Sequence, residues 1–185
     1  MKRAVVLHAT DRKPDEIWLP WLKVQLEARG YEVWAPELPG NHTPNYQAYN
    51  DFLFSQDWDV ADNIVIGHSS GAVSVLNLLM DERCPKIKLG VMVSAWAGGM
   101  PNGHFDEGQF DHMFHEDGFD FARIKANADN LAFLHSDDDP YCPLEQAEYL
   151  AAELDAPLKV MHNAGHISGD MKELPELWEM IEEKL

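Results

Sequence analysis

Residues 63–72 read Asn-Ile-Val-Ile-Gly-His-Ser-Ser-Gly-Ala, an apolar run that passes straight into Gly67-His68-Ser69-Ser70-Gly71. No other segment constrains the fold as much. Glycine, any residue, serine, any residue, glycine between a strand and a helix describes a turn so tight that the serine backbone is strained. Small residues two before and two after it keep strand and helix from colliding. Such a turn leaves the serine hydroxyl at the tip of a sheet, with helix amides behind it. The five-residue pattern recurs by chance, but its context is specific. Ile64-Val65-Ile66 stands ahead of it, and Ala72-Val73-Ser74-Val75-Leu76-Asn77-Leu78-Leu79-Met80 behind it reads as a buried helix.

The rest of the chain alternates strand and helix around this turn. Strands are expected at residues 4–8, 31–35, 88–93, 131–135 and 158–161, and helices at 16–29, 44–56, 143–154 and 173–184. Gly30 closes the first helix, and Pro36 with Pro39-Gly40 ends the second strand. The strand runs are apolar without alternation, as suits strands covered on both faces. The expected fold is therefore α/β: a doubly wound, mainly parallel six-stranded sheet with helices on both sides. The 185 residues contain no linker, internal repeat or low-complexity tract and are expected to form one domain, 1–185.

Charge narrows the partners. Fourteen Lys and Arg against 32 Asp and Glu give a net charge of −18, which repels phosphate backbones and anionic membranes. Nucleic-acid and membrane partners are not expected. The acidity is diffuse and suits solubility. Cys84 and Cys142 are the only cysteines, which makes no disulfide framework. Four apolar residues after Met1-Lys2-Arg3 are too few for a signal peptide, so a cytoplasmic location is expected.

Sites in such sheets gather beyond the carboxyl ends of the strands. Ser69 follows the third strand, Ser136-Asp137-Asp138-Asp139-Pro140 the fifth and Gly165-His166 the sixth. Serine, acid and histidine in that order match the arrangement of α/β-hydrolases. The residue types have a chemical reason. A hydroxyl is a weak nucleophile until an imidazole takes its proton, and a buried carboxylate fixes the tautomer of that imidazole. Any of the three aspartates 137–139 meets this requirement.

Beyond the elbow, the chain resembles the small YdeN-like α/β-hydrolases, the family that includes the retinoblastoma-binding serine hydrolase. The likeness is carried by Gly67–Ala72, Val93-Ser94-Ala95, Ile124–Asn127, Ser136–Pro143, Ala164-Gly165-His166 and Trp18-Leu19-Pro20-Trp21-Leu22. The resemblance implies a minimal α/β-hydrolase fold and a triad of Ser69, Asp139 and His166. In that family's pattern the acid stands four residues before a proline, here Asp139 before Pro143, which places it ahead of Asp137 and Asp138. No cofactor and no metal are implied.

An oxyanion hole needs two amides. The first candidate is Ser70. The second lies after the first strand, where many hydrolases carry His-Gly and this chain has His8-Ala9-Thr10-Asp11. Ala9 and Thr10 are the alternatives, and Thr10 is favoured. Trp18 and Trp21 are candidates for the wall of a substrate pocket, with Ala9 and His68 beside them, although helical aromatics also pack in cores and His68 suits local packing or hydrogen bonding. The stretch from His104 to Asp117 is rich in metal-ligand types but has no metal-site spacing and suits a polar loop. Residues 97–123 leave room for about one short helix and no large lid. A carboxylesterase-like serine hydrolase acting on short acyl esters is the expected function. The alternative is a weak or inactive hydrolase fold that serves as a protein-interaction module, with an unspecified protein partner, although no Leu-x-Cys-x-Glu segment occurs.

Overall fold

The computed structural model of the chain describes residues 2–184. Its elements in order are β1 Lys2–Leu7, α1 Leu19–Ala28, β2 Tyr31–Trp34, α2 Tyr46–Ser55, β3 Ile64–His68 and α3 Ser70–Met80. They continue as β4 Ile87–Val93, α4 Phe121–Ala126, β5 Ala128–Ser136, α5 Leu144–Glu153, β6 Leu158–Met161 and α6 Pro175–Glu182. The six strands form one sheet in the order β2-β1-β3-β4-β5-β6, and every ladder is parallel.

Strand residues divide between the faces with period two, as the pleat requires. Val5, Leu7, Val65 and Phe133 face a core closed by Tyr49 and Leu53 of α2, by α3, by Ile124 of α4 and by Leu150 of α5. Ala4, Val6, Ile64, Ile66, Val91 and Leu134 face the opposite core, closed by Leu22 and Leu26 of α1 and Leu177 and Ile181 of α6. Both faces are apolar because both are covered, which is why the strand sequences do not alternate. Each fully buried Leu, Ile or Val contributes about 1.5–3 kcal/mol.

The helix starts are set locally. Asn45 caps α2 by accepting the Ala48 amide, 3.0 Å, and Asp120 caps α4 by accepting the Arg123 amide, 3.0 Å. α1 begins at Leu19, later than residue 16, because Ile17 takes a left-handed φ of 50° and Pro20 suits only the first turn. Gly30 ends α1 at φ 79°, with its amide on Glu27 O. Residues 97–120 hold no helix. Their Phe105, Phe110, Phe114 and Phe119 pack with Trp96 and Met113 as a separate apolar cluster.

The chain visits β2, then returns past β1 to β3, so the winding direction reverses between β1 and β3. Crevices at such reversals, beyond the carboxyl ends, are where α/β sheets bind ligands.

Candidate active site

Ser69 stands at that reversal. Its backbone has φ 56° and ψ −119°, a conformation a side chain rarely adopts. The flanking glycines have steric reasons. A Cβ on Gly67 would sit 2.1 Å from Gly71 O, and one on Gly71 would sit 2.4 Å from Leu7 O and 2.7 Å from His8 O. The turn is locked by the Ser69 amide on Val93 O, 2.8 Å, and by Ser69 O accepting the Ala72 and Val73 amides.

His166 comes from the far side of the sheet. β6 lies three strand spacings from β3, roughly 14 Å at about 4.8 Å each. The loop after β6 is carried inward by the loop after β5, and all three aspartates share that task. Asp137 accepts from His162 Nδ1, 2.6 Å, and from the Asn163 amide, 2.9 Å. Asp138 accepts from Ser136 Oγ, 2.7 Å, and from the Gly165 amide, 2.8 Å, while Ser136 Oγ also accepts the Ala164 amide. Asp139 alone meets the imidazole, with His166 Nδ1 2.8 Å from Oδ2 and 3.0 Å from Oδ1. His166 Nε2 lies 2.9 Å from Ser69 Oγ.

The protonation pattern follows from the partners. Asp139 has no solvent-exposed side-chain surface. Burial, the largest influence on its carboxyl, pushes the pKa up, but the His166 hydrogen bond and charge and the Cys142 and Tyr141 amides outweigh it and hold the carboxyl below its ordinary value. An ionised carboxylate only accepts, so the His166 proton sits on Nδ1 and Nε2 is free to accept from the Ser69 hydroxyl.

A cavity of about 370 Å³ opens beside Ser69, lined by Ala9, Thr10, Arg12, His68, Ser69, His166 and the apolar wall Pro101, Phe105, Phe110 and Tyr141. Tyr141 meets the His166 ring edge to face, with centroids 5.0 Å apart. The loop after β1 is held by His8, whose Nδ1–H donates to Ala9 O, 2.8 Å, while Nε2 accepts the Leu38 amide, 2.9 Å. His8 is therefore structural. The left-handed residue of this loop is Asp11, φ 55°, so neither Ala9 nor Thr10 carries a positive φ. Thr10 Oγ1 donates to Ser70 Oγ, 2.9 Å, which ties the loop to the start of α3. Among the described residues, the Thr10 and Ser70 amides donate to no backbone carbonyl.

One sequence expectation needs correction. Trp18 and Trp21 do not line the cavity. Trp18 is wholly buried in the α1–α6 core, and its indole N–H donates to Ile167 O, 2.8 Å. Trp21 is half-buried against the same core. The aromatic wall comes instead from the 97–120 segment and from Tyr141. Between His104 and Asp117, no three metal-ligand side chains converge among the described residues. The one such convergence is Asp139, Cys142 and His166, with ligand atoms within 4.8 Å of one another. Two of these already share a proton, and burial raises the Cys142 thiol pKa, which keeps it protonated.

Burial holds three histidines neutral. His8 and His135 have pKa values pushed down by desolvation, and His68 is pushed down to about 3 by burial and then by the His166 charge. An unfolded imidazole takes up its proton near pH 6.5, so between about 6.5 and 3 the unfolded chain binds more protons than native His68 does. Stability is therefore full above pH 6.5 and falls as the pH drops below it. Depressed Asp139 acts in the same direction, below its unfolded pKa of about 3.9. Denaturant melts from pH 7 to 4 test this, and a midpoint independent of pH contradicts it.

The sheet order, the elbow and the placement of Ser69 and His166 define an α/β-hydrolase fold. The chain matches the Serine hydrolase family over residues 4–184 and belongs to it. It is similar to the YdeN protein of Bacillus subtilis, 26% identical over 189 residues covering 97% of this chain and 94% of that one. It is also similar to the serine hydrolase RBBP9 of Rattus norvegicus, 25% identical over 150 residues covering 80% and 77%. Among solved structures, the B. subtilis ydeN gene product superposes with a TM-score of 0.84 at 22% identity, covering 100% and 98%. Est1E of Butyrivibrio proteoclasticus, solved with ferulic acid bound, gives 0.74 at 14% identity, covering 100% and 89%. Among the described residues, no helix is long and apolar enough to cross a membrane.

Proposed function

We propose that the chain is one domain that hydrolyses short acyl esters through Ser69, His166 and Asp139. The observation that carries this reading is the unbroken relay from Ser69 Oγ through both His166 nitrogens to a buried carboxylate, at 2.9 and 2.8 Å, beside an apolar cavity. Ser69 Oγ attacks the ester carbonyl carbon while His166 Nε2 takes its proton. The Ser70 and Thr10 amides face the tetrahedral oxyanion, each such donor being worth about 2.7–4 kcal/mol. The imidazolium, stabilised by Asp139, passes the proton to the departing alkoxide. Water, deprotonated by His166, then attacks the acyl-enzyme and releases the acid and Ser69.

The cavity sets the acyl size. Its Phe110 also lines a neighbouring cavity of about 270 Å³ bordered by Met100 and Phe114, so that ring is a partition between two spaces. A series of p-nitrophenyl esters from acetate to decanoate tests the reading: turnover is expected for the short acyl groups and is expected to fall with length. Phe110→Leu, which thins the partition, moves the optimum to longer chains, each methylene newly in contact adding about 0.8 kcal/mol. A folded protein that cleaves none of the series contradicts the function, and an unchanged optimum in Phe110→Leu places the acyl group elsewhere.

A further inference from the structure

The turn that carries His166 is strained. Asn163, Gly165 and Ile167 have φ values of 55°, 56° and 47°. A β-branched residue in the left-handed region is an outlier that persists only where its surroundings over-determine it. The acid loop holds residues 163–165 through Asp137, Ser136 and Asp138. The other end is held from the core. His68 Nε2–H donates to His166 O, 2.9 Å, and Trp18 Nε1–H donates to Ile167 O, 2.8 Å. Two successive carbonyls are thus gripped by two buried donors. The donor rings brace each other edge to face, with centroids 5.6 Å apart at 72°. The His68 ring lies 5.1 Å from the His166 ring.

Fold stability alone does not call for an imidazole at position 68. With its proton on Nε2, as the carbonyl partner requires, its Nδ1 is buried and has no hydrogen-bond partner among the described residues. An unpaired buried acceptor destabilises the folded state. An apolar ring would fill the space without it. Among the described residues, the one hydrogen bond of the His68 side chain runs to the backbone of the residue facing Ser69.

We propose that His68 and Trp18 are positioning residues, which grip the His166 and Ile167 carbonyls so that the strained turn presents His166 Nε2 to Ser69 Oγ. The inference rests on the reading of Ser69, His166 and Asp139 as the reacting set. Neither residue touches the acyl group's reacting atoms; both act through the turn.

The test is steady-state kinetics on a short acyl ester, with thermal melting, for His68→Phe, His68→Gln and Trp18→Phe. A reacting group displaced by about 1 Å loses up to about 100-fold in rate, so His68→Phe and Trp18→Phe are expected to lower kcat about 10- to 100-fold. KM is expected to stay within about twofold, since the lost interaction acts in the transition state. His68→Phe removes the unpaired Nδ1 but leaves the His166 carbonyl without its donor, so its melting temperature is expected to stay near that of the wild type. His68→Gln, whose amide N–H has the reach of Nε2, recovers most of kcat. Full kcat in a folded His68→Phe or Trp18→Phe overturns the proposal, as does a His68→Gln no faster than His68→Phe. Loss of folded protein in His68→Phe also overturns it, because the imidazole is then a requirement of the fold. These outcomes leave the reacting set standing. That set fails separately, if the wild type neither cleaves ester nor reacts with a fluorophosphonate.

Discussion

Asp139→Asn is expected to lower kcat on a short acyl ester by about 10⁴-fold, with little change in melting temperature. The geometry gives the reason. The Tyr141 and Cys142 amides both donate to Oδ1, at 2.9 and 3.0 Å. An asparagine at this position turns its carbonyl oxygen toward those amides and its NH₂ toward His166 Nδ1. That nitrogen must then become the acceptor, and the imidazole proton moves to Nε2, where it points at Ser69 and cannot take the hydroxyl proton. Volume and packing are unchanged, so stability is kept while the tautomer is wrong. Asp137→Asn and Asp138→Asn act differently. Each leaves the tautomer alone and loosens one tether of the 162–165 loop, for an expected loss of about tenfold or less. Stopped-flow or steady-state kinetics on the three variants decide the point. Equal losses at all three positions contradict the assignment of Asp139.

Gly71→Ala carries the largest expected effect on the fold. Its new Cβ would lie 2.4 and 2.7 Å from the carbonyl oxygens of Leu7 and His8, at the end of β1. These are backbone atoms of a central strand, fixed by parallel ladders to β2 and β3, and α3 behind the elbow is almost wholly buried. Neither side can yield, so helix and sheet must separate. The expected cost exceeds about 5 kcal/mol, enough to take a domain of ordinary stability to the unfolded state. Gly30→Ala is the control. Its φ is 79°, but nothing lies within 4 Å of the added carbon, so only the left-handed penalty of about 1–2 kcal/mol applies. Circular dichroism and thermal melts separate the two. A Gly71→Ala protein that melts near the wild-type temperature contradicts the close approach of α3 to β1.

The sheet was legible in the sequence because its cause is local and repeated: runs such as Ile64-Val65-Ile66 are apolar on both faces, and glycine or proline stops them. The elbow was legible for a steric reason, since few other arrangements need small residues at both 67 and 71. Other features depend on distant partners. Trp18 reads as a pocket or core residue from its own helix, and its bond to Ile167 spans 149 residues. The division of labour among Asp137, Asp138 and Asp139 depends on which donors of the 162–166 loop each one meets, and three adjacent carboxylates look alike in the chain. The loop after β1 lacks glycine, yet it turns left-handed at Asp11, one residue beyond the expected amide, where the short polar side chain tolerates φ 55°. The aromatic wall lies in the glycine-punctuated 97–120 segment, which has no period to read, and is placed by Trp96.

Ser69 is the proposed nucleophile and His166 its proposed base. Intact-mass and peptide mass spectrometry after reaction with a fluorophosphonate test this assignment directly. A single phosphonyl adduct is expected on the peptide containing Ser69, lost in Ser69→Ala and His166→Ala. A folded wild-type protein that gains no adduct, or carries it on another residue, contradicts it.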